Sequence, residues 1–198
     1  SPWNWEKPGY DDSKWSASSQ LQKGSPFLSA DYGDSQWELL PRSIPLMERT
    51  YQKFGAVRKS EGIELAIKDF NSSFTIPANK KISLLLDQGK MTTAFPEWIV
   101  SKGNGSEMKI TYAEAMMNDM NNKGHRDSIQ GKAMHGIYDL IYPDGGEKRT
   151  FSTLSYRAFR FVQIEITTAS EPLIVEKAGS WFTGYPFELK STFTSSDK

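Results

Sequence analysis

Apolar and polar side chains alternate through the last third of the chain. From Phe161 onward, Val162, Ile164 and Ile166 fall on one side, and Gln163, Glu165 and Thr167 on the other. A period of two marks a strand with one buried face. The stretch is rich in β-branched and aromatic residues, which suit a pleated, half-buried surface. The pattern predicts one long strand within Tyr156–Thr168. Arg157 and Arg160 interrupt its aromatic start, beside Tyr156, Phe159 and Phe161. A guanidinium there can stack on a ring or cap a carboxylate.

The same period recurs upstream. Ile63, Leu65 and Ile67 alternate with Glu64, Ala66 and Lys68, and Phe74 and Ile76 lead into Pro77 and an Asn79–Lys80 turn. Ile82, Leu84 and Leu86 form the next set, closed by an Asp87-Gln88-Gly89 turn. Phe95–Val100 is a further apolar run, ended by Lys102-Gly103-Asn104-Gly105, a hairpin-type turn. Met108, Ile110 and Tyr112 alternate in their turn. Ala113–Asn122 has the composition of a short helix weakened by asparagines, and Lys123–Lys132 reads as a polar loop. Met134–Tyr142 predicts a strand ended by the turn Pro143-Asp144-Gly145-Gly146. Ile174–Gly184 and Tyr185–Phe193 supply the last apolar segments. Short strands at this spacing predict an all-β, antiparallel sandwich or jelly roll with at most short helices.

The first 48 residues differ. Ser1–Gly24 is broken by Pro2, Pro8 and Gly9 yet holds three tryptophans, so it predicts an irregular extension that packs. In Pro8–Trp15 (PGYDDSKW), Asp11 or Asp12 folds back on the backbone as a turn and Trp15 anchors it; paired aspartates can otherwise hold calcium, but the further oxygen ligands are not evident. Pro41 and Pro45 keep Trp37–Glu48 extended as a linker.

Composition narrows the function classes. The chain has 198 residues, enough for one large domain or one with a fragment of another. Twenty-four basic residues balance 24 acidic ones, which argues against nucleic acid or an anionic membrane as partner. No apolar run approaches a membrane span, and no N-terminal leader pattern is present. With no cysteine, disulfides, thiolate metal sites and cysteine nucleophiles are excluded. The start at Ser-Pro-Trp rather than Met reads as a piece of a longer polypeptide.

Candidate chemistry is sparse. His125 and His135 sit in or beside the polar loop, and no serine lies in a glycine elbow, so a hydrolytic triad is not predicted. The two histidines with Asp127 or Asp139 match no zinc spacing, so no metal or other cofactor is predicted. Glycosidase chemistry needs two carboxylates roughly 5–9 Å apart. Glu97, or Glu107 with Glu114, are available, and nothing selects a pair. Aromatic rings can instead stack on sugars. Trp98 beside Glu97, and Trp181 before Phe182 and Tyr185, are the candidate platforms, with core packing as the competing role. Arg126 and Asp127 of the polar loop are candidate hydrogen-bonding partners of a ligand or of a neighbouring domain.

Several stretches in order resemble the bacterial α-L-rhamnosidases. PGYDDSKW resembles the close of an upstream β-domain, and Leu39–Glu48 (LLPRSIPLME) the linker after it. Leu84–Met116 resembles the family's non-catalytic sandwich, Phe151–Ile166 (FSTLSYRAFRFVQIEI) its aromatic-arginine strand, and Thr183–Glu188 (TGYPFE) the stretch before the catalytic domain. Asp87-Gln88-Gly89-Lys90 departs from the Asp-Phe-Gly-Gln of many relatives.

The resemblance implies a jelly-roll or concanavalin-like accessory sandwich over residues 49–193. It places the end of an upstream β-domain plus linker at 1–48 and a frayed tail at 194–198. It further implies a partner (α/α)6 catalytic domain in the same parent chain, a rhamnose-containing glycan as target, and a periplasmic or secreted setting. The inverting acids of such an enzyme would lie in that barrel, so no catalytic residue is expected here. A carbohydrate-binding module with an aromatic platform is the alternative, and a self-contained enzyme with a cleft on the sandwich is a third.

Overall fold

A computed structural model describes residues 3–21, 41–63, 72–118, 120, 122–188 and 190–196. The alternation over residues 64–68 and residues 37–40 of the linker lie outside them. The chain divides into two compact units: Glu48–Gly184, and Ser1–Met47 with Tyr185–Lys198.

In the smaller unit the PGYDDSKW turn forms on Asp11, whose Oδ1 accepts the Ser13 N–H at 3.0 Å. Trp15 packs on Trp5 and Tyr10, with ring centroids 6.3 and 5.6 Å away.

The larger unit is all strand: β1 (Glu48–Lys53), β2 (Ala56–Glu61), β3 (Phe74–Ile76), β4 (Lys81–Lys102), β5 (Glu107–Ala113), β6 (Ile137–Ile141), β7 (Arg149–Ser152), β8 (Arg157–Thr167) and β9 (Leu173–Gly184). Every pairing is antiparallel. The order is β1-β9-β4-β8-β5-β6, with β2 and β7 also on β4 and β3 also on β9. The expected all-β, antiparallel sandwich class is what forms.

β4 organises this body. Its 22 residues belong to both halves of the sheet. Lys81–Asp87 runs between β2 and β8, while Ala94–Lys102 pairs with β9 and, over four residues, β7. The sequence predicts two strands here, separated by a turn at Asp87–Gly89. The structure instead has one strand with a bulge: the register against β8 jumps between Asp87↔Phe161 and Thr92↔Phe159. Gly89 adopts φ 77°, and its N–H reaches the Asp87 carboxylate at 2.8 Å. The chain therefore kinks without reversing, and β8 continues alongside. Gly55 approaches so closely that a Cβ would collide with the Asp87 carbonyl.

Other expectations change as well. The Lys102–Gly105 turn closes no hairpin, because β5 pairs with β8 and β6 rather than with β4. It carries the chain from one half of the sheet to the other. The expected long strand within Tyr156–Thr168 forms as β8 (Arg157–Thr167) on the earlier part of β4, while Phe151 belongs to a separate strand, β7, on its later part. Met134–Tyr142 shortens to Ile137–Ile141. Among the described residues Ala113–Asn122 makes no helix. The Asn118 side-chain oxygen accepts the N–H groups of Met120 and Asn122, which competes with helical bonding. Met117 bridges to Ala133 instead.

The register explains the core. Ile82↔Ile166, Leu84↔Ile164 and Leu86↔Val162 stack apolar pairs on one face, and Met108, Ile110 and Tyr112 of β5 extend the same rows. The later half of β4 delivers Trp98, which is fully buried. Its ring lies 5.3 Å from Phe54, which meets Phe159 at 6.1 Å, and Phe159 meets Tyr112 at 5.5 Å. Aromatic contacts thus link the two halves of the sheet through one interior. Truncating a buried tryptophan of this kind leaves a cavity that close-packed neighbours cannot fill. Trp98→Ala is expected to lower unfolding free energy by about 3–5 kcal/mol in urea titrations.

Candidate functional site

The polar side of the alternation builds a surface. Ser83 and Leu85 of β4, Gln163 and Glu165 of β8, Lys109 and Thr111 of β5 and Tyr138 of β6 share the face opposite the main core. The segment between β5 and β6 folds back over one end of that face. Met116, Ile129 and Met134 from this segment pack on Leu85 and Phe161 in a second, smaller apolar cluster. Between wall and sheet runs an open groove of about 1110 Å³, with Lys59 and Glu61 of β2 along its side.

An ion cluster at the β4 bulge anchors the wall. Arg160 holds the Asp87 carboxylate through two bonds, 2.8 and 3.1 Å long, and extends Nη2 to Asp127 Oδ1 at 2.6 Å. Arg58 donates to Asp87 at 2.7 Å and to the Asp127 carbonyl at 3.1 Å. Lys132 Nζ closes the loop on the carbonyls of Lys123 and His125. Burial of Asp87 pushes its pKa up, but the hydrogen bonds from Arg160 and Gly89 and the charges of both arginines outweigh it, leaving the carboxyl below its usual range. Asp127 is held low chiefly by its bond to Arg160, and Arg160 is raised in return. Farther along β8, Arg157 caps Asp139 of β6 at 2.6 Å. Both strand arginines therefore serve carboxylates.

The sequence-selected residues divide among three places. Trp98 lies in the core and presents no face to a sugar, which corrects its assignment as a platform. Its position follows from β4 alternation, in which Ala94, Pro96, Trp98 and Val100 all point inward. Glu97 and Trp181 do meet, on the outer side of β4 and β9. The indole N–H donates to Glu97 Oε2 at 2.9 Å, and Lys177 donates to Oε1 at 2.9 Å. Arg49 lies over the Trp181 ring at 5.0 Å, and Tyr51 meets it edge-on at 5.3 Å. Burial raises Glu97, yet its partners Trp181, Lys177 and Arg49 bring it net below the usual range. The cluster is bound up with itself rather than open to a ligand. Asp127 is held in the bulge anchor, and Arg126 is exposed beside it on the same loop.

His135 lines the groove, whereas His125 accepts the Asp127 N–H on the loop. Among the described residues no group of three or more His, Cys, Asp or Glu side chains is placed to hold a metal ion. Nor is any helix among them long and apolar enough to cross a membrane.

Two carboxylates, Glu61 and Glu165, do line the groove. Each sits by a lysine: Lys59–Glu61 at 2.6 Å and Lys109–Glu165 at 3.7 Å. The hydrogen bond from Lys59 holds Glu61 below the usual range, the opposite of what a general acid needs. The groove itself escaped the sequence reading. Gln163 and Glu165 were legible as outward-facing, but the wall that turns this face into a groove comes from a segment without periodicity.

The architecture is that of a concanavalin-like β-sandwich. The profile of the bacterial alpha-L-rhamnosidase concanavalin-like domain matches residues 78–185, and the chain belongs to this family. No curated protein matches it. Among solved structures, a rhamnosidase from Klebsiella oxytoca with rhamnose bound superposes with a TM-score of 0.54 at 10% identity, over 77% of this chain and 32% of that one. The GH78 family rhamnosidase of Bacillus sp. GL1 gives 0.47 at 14% identity, over 63% of this chain and only 12% of that one. A chitosan-binding module of a Paenibacillus sp. IK-5 chitosanase/glucanase gives 0.39 at 13% identity, over 66% and 99%. At these identities the likeness is one of fold. The chain spans a third or less of the two rhamnosidases.

The bulge anchor makes stability sensitive to acid. Asp87 has a folded pKa below its unfolded value near 3.9, so its contribution is complete above that value and fades as pH falls through the folded pKa. Urea unfolding between pH 6 and pH 2 is expected to show this loss. Asp87→Asn is expected to flatten the slope and, by leaving Arg160 short of its counter-ion, to cost on the order of 3 kcal/mol at pH 6.

Proposed function

We propose that this chain is the accessory sandwich of a rhamnosidase-like glycoside hydrolase. It braces an (α/α)6 catalytic domain in the same parent polypeptide, whose substrate is a rhamnose-containing glycan. The family match over residues 78–185 carries this reading. The groove chemistry supports the non-catalytic part, since Glu61 and Glu165 are each tied to a lysine and the Lys59 hydrogen bond holds Glu61 below its usual range, where an acid catalyst needs a raised pKa. On this reading residues 1–48 are the end of an upstream β-domain and its linker, residues 49–193 the sandwich, and 194–198 the lead toward the barrel. The parent then works outside the cytoplasm, where polymeric glycans are met.

The test is turnover of an aryl α-L-rhamnoside. The 198-residue chain is expected to release no aglycone above the buffer rate, while the parent protein hydrolyses it. Turnover by the chain alone would refute the accessory role. Deleting residues 48–184 from the parent is expected to lower its thermal midpoint by about 4 °C or more, because an interdomain face would be exposed.

A further inference from the structure

We infer that the groove on the β2-β4-β8-β5-β6 face is a binding site for an uncharged oligosaccharide. This deepens the reading above by naming a ligand class and a place for it. The charges are the first ground. The groove carries Lys59, Lys109 and Lys132 against Glu61 and Glu165. Lys59 pairs with Glu61, Lys109 with Glu165, and Lys132 is spent on the carbonyls of Lys123 and His125. No lysine is left to attract a phosphate, a uronate or an acidic peptide, and neither glutamate is left for a cationic one. Lys59 with Glu61 and Lys109 with Glu165 are partly exposed and cancel in charge, so these pairs offer little net field to a charged ligand.

The floor is the second ground. Ser83, Thr111 and Gln163 come from three adjacent strands; Thr111 and Gln163 are in register, and Ser83 lies in the next row, opposite Glu165. Hydroxyl and amide groups on adjacent rows both donate and accept, which matches the vicinal hydroxyls of a sugar. The Gln163 amide reaches Ser83 only at 3.5 Å, the limit of a hydrogen bond, so it is readily given up to a ligand. Tyr138 stands at the groove with 54% of its surface exposed, with the Lys109 ammonium 5.1 Å from its ring centroid. Its ring offers a stacking surface for the C–H side of a pyranose. Leu85, Met116 and Ile129 make the closed end apolar.

Size is the third ground. About 1110 Å³ slightly exceeds the roughly 300–1,000 Å³ of ordinary small-ligand sites and suits several sugar rings. A docked helix from a neighbouring domain would need a broad apolar floor, and an added strand would need a free sheet edge. The central floor of this groove has neither character.

Calorimetric titration of the chain with a neutral rhamnotetraose, a neutral xylotetraose and an anionic tetragalacturonate tests this. Binding of at least one neutral tetrasaccharide with Kd on the order of 1 mM or tighter is expected. Gln163→Ala and Tyr138→Ala should each weaken it about tenfold without moving the thermal midpoint, and Arg126→Ala on the exposed loop should not. Backbone chemical-shift changes in the unaltered chain should centre on Thr111, Tyr138 and Gln163, which keeps the test sound if a variant misfolds. Absence of heat with both neutral sugars at about 10 mM would overturn the inference, as would tighter binding of the galacturonate or shifts centred elsewhere. So would a fall in the parent's thermal midpoint on Gln163→Ala with no effect on sugar affinity, which would make the groove a domain contact. Binding of xylotetraose but not rhamnotetraose would uphold the groove and count against only the rhamnose target, while chain turnover of the aryl rhamnoside bears on the accessory role alone.

Discussion

Asp87 is the residue that the larger unit is built to accommodate. Its side chain is almost wholly removed from water, at the point where β4 kinks, with two arginines and a backbone N–H around it. A carboxylate in that position is tolerable only with such partners, because an uncompensated buried charge is strongly destabilising. The requirement propagates outward. Arg160 must be on β8 opposite the kink, and Arg58 on β2 at the other side, and both then have donors to spare for Asp127. One buried negative charge thereby recruits three strands and a loop.

That arrangement lets a single strand serve both halves of the sandwich. Before the kink, β4 supplies Leu84 and Leu86 to the rows shared with β8 and β5; after it, Ala94, Trp98 and Val100 face inward against β9 and the aromatic cluster. Four β4 residues, 88–91, stand against the single β8 residue Arg160, and the even-numbered β4 side chains face inward on both sides of them. The long strand is continuous because its bulge preserves the inward face.

The outward faces divide into unlike surfaces. On β4 and β9, Glu97, Trp181, Lys177, Arg49 and Tyr51 satisfy one another, so a dense set of chemically capable side chains forms a closed ornament of the sheet. On β8 and β5 the residues are chemically modest, yet a wall beside them makes a concavity. Reactive composition and an accessible site do not coincide here.

Much of this body was legible beforehand. The alternation at Ile82–Leu86, Met108–Tyr112 and Val162–Ile166 was enough to predict strands and their buried faces, because side-chain direction within a strand follows from local geometry alone. The Asp11 turn and the Asp144–Gly146 turn were likewise legible, since a short side chain bonding two residues on is a local event. What could not be read was every outcome that depends on distant partners. Asp87-Gln88-Gly89 looks like a reversal until Arg160, 73 positions away, is seen to hold it. Trp98 and Trp181 look alike in sequence, but one fills the interior while the other bonds Glu97 outside, a difference set by strand parity across a fold not yet assembled. The groove belongs wholly to this second category: its floor is periodic, but its wall is an aperiodic segment whose place is chosen by Met116, Ile129 and Met134 finding Leu85 and Phe161. Local stereochemistry acts within a few residues, whereas packing and buried charge couple residues that only folding brings together.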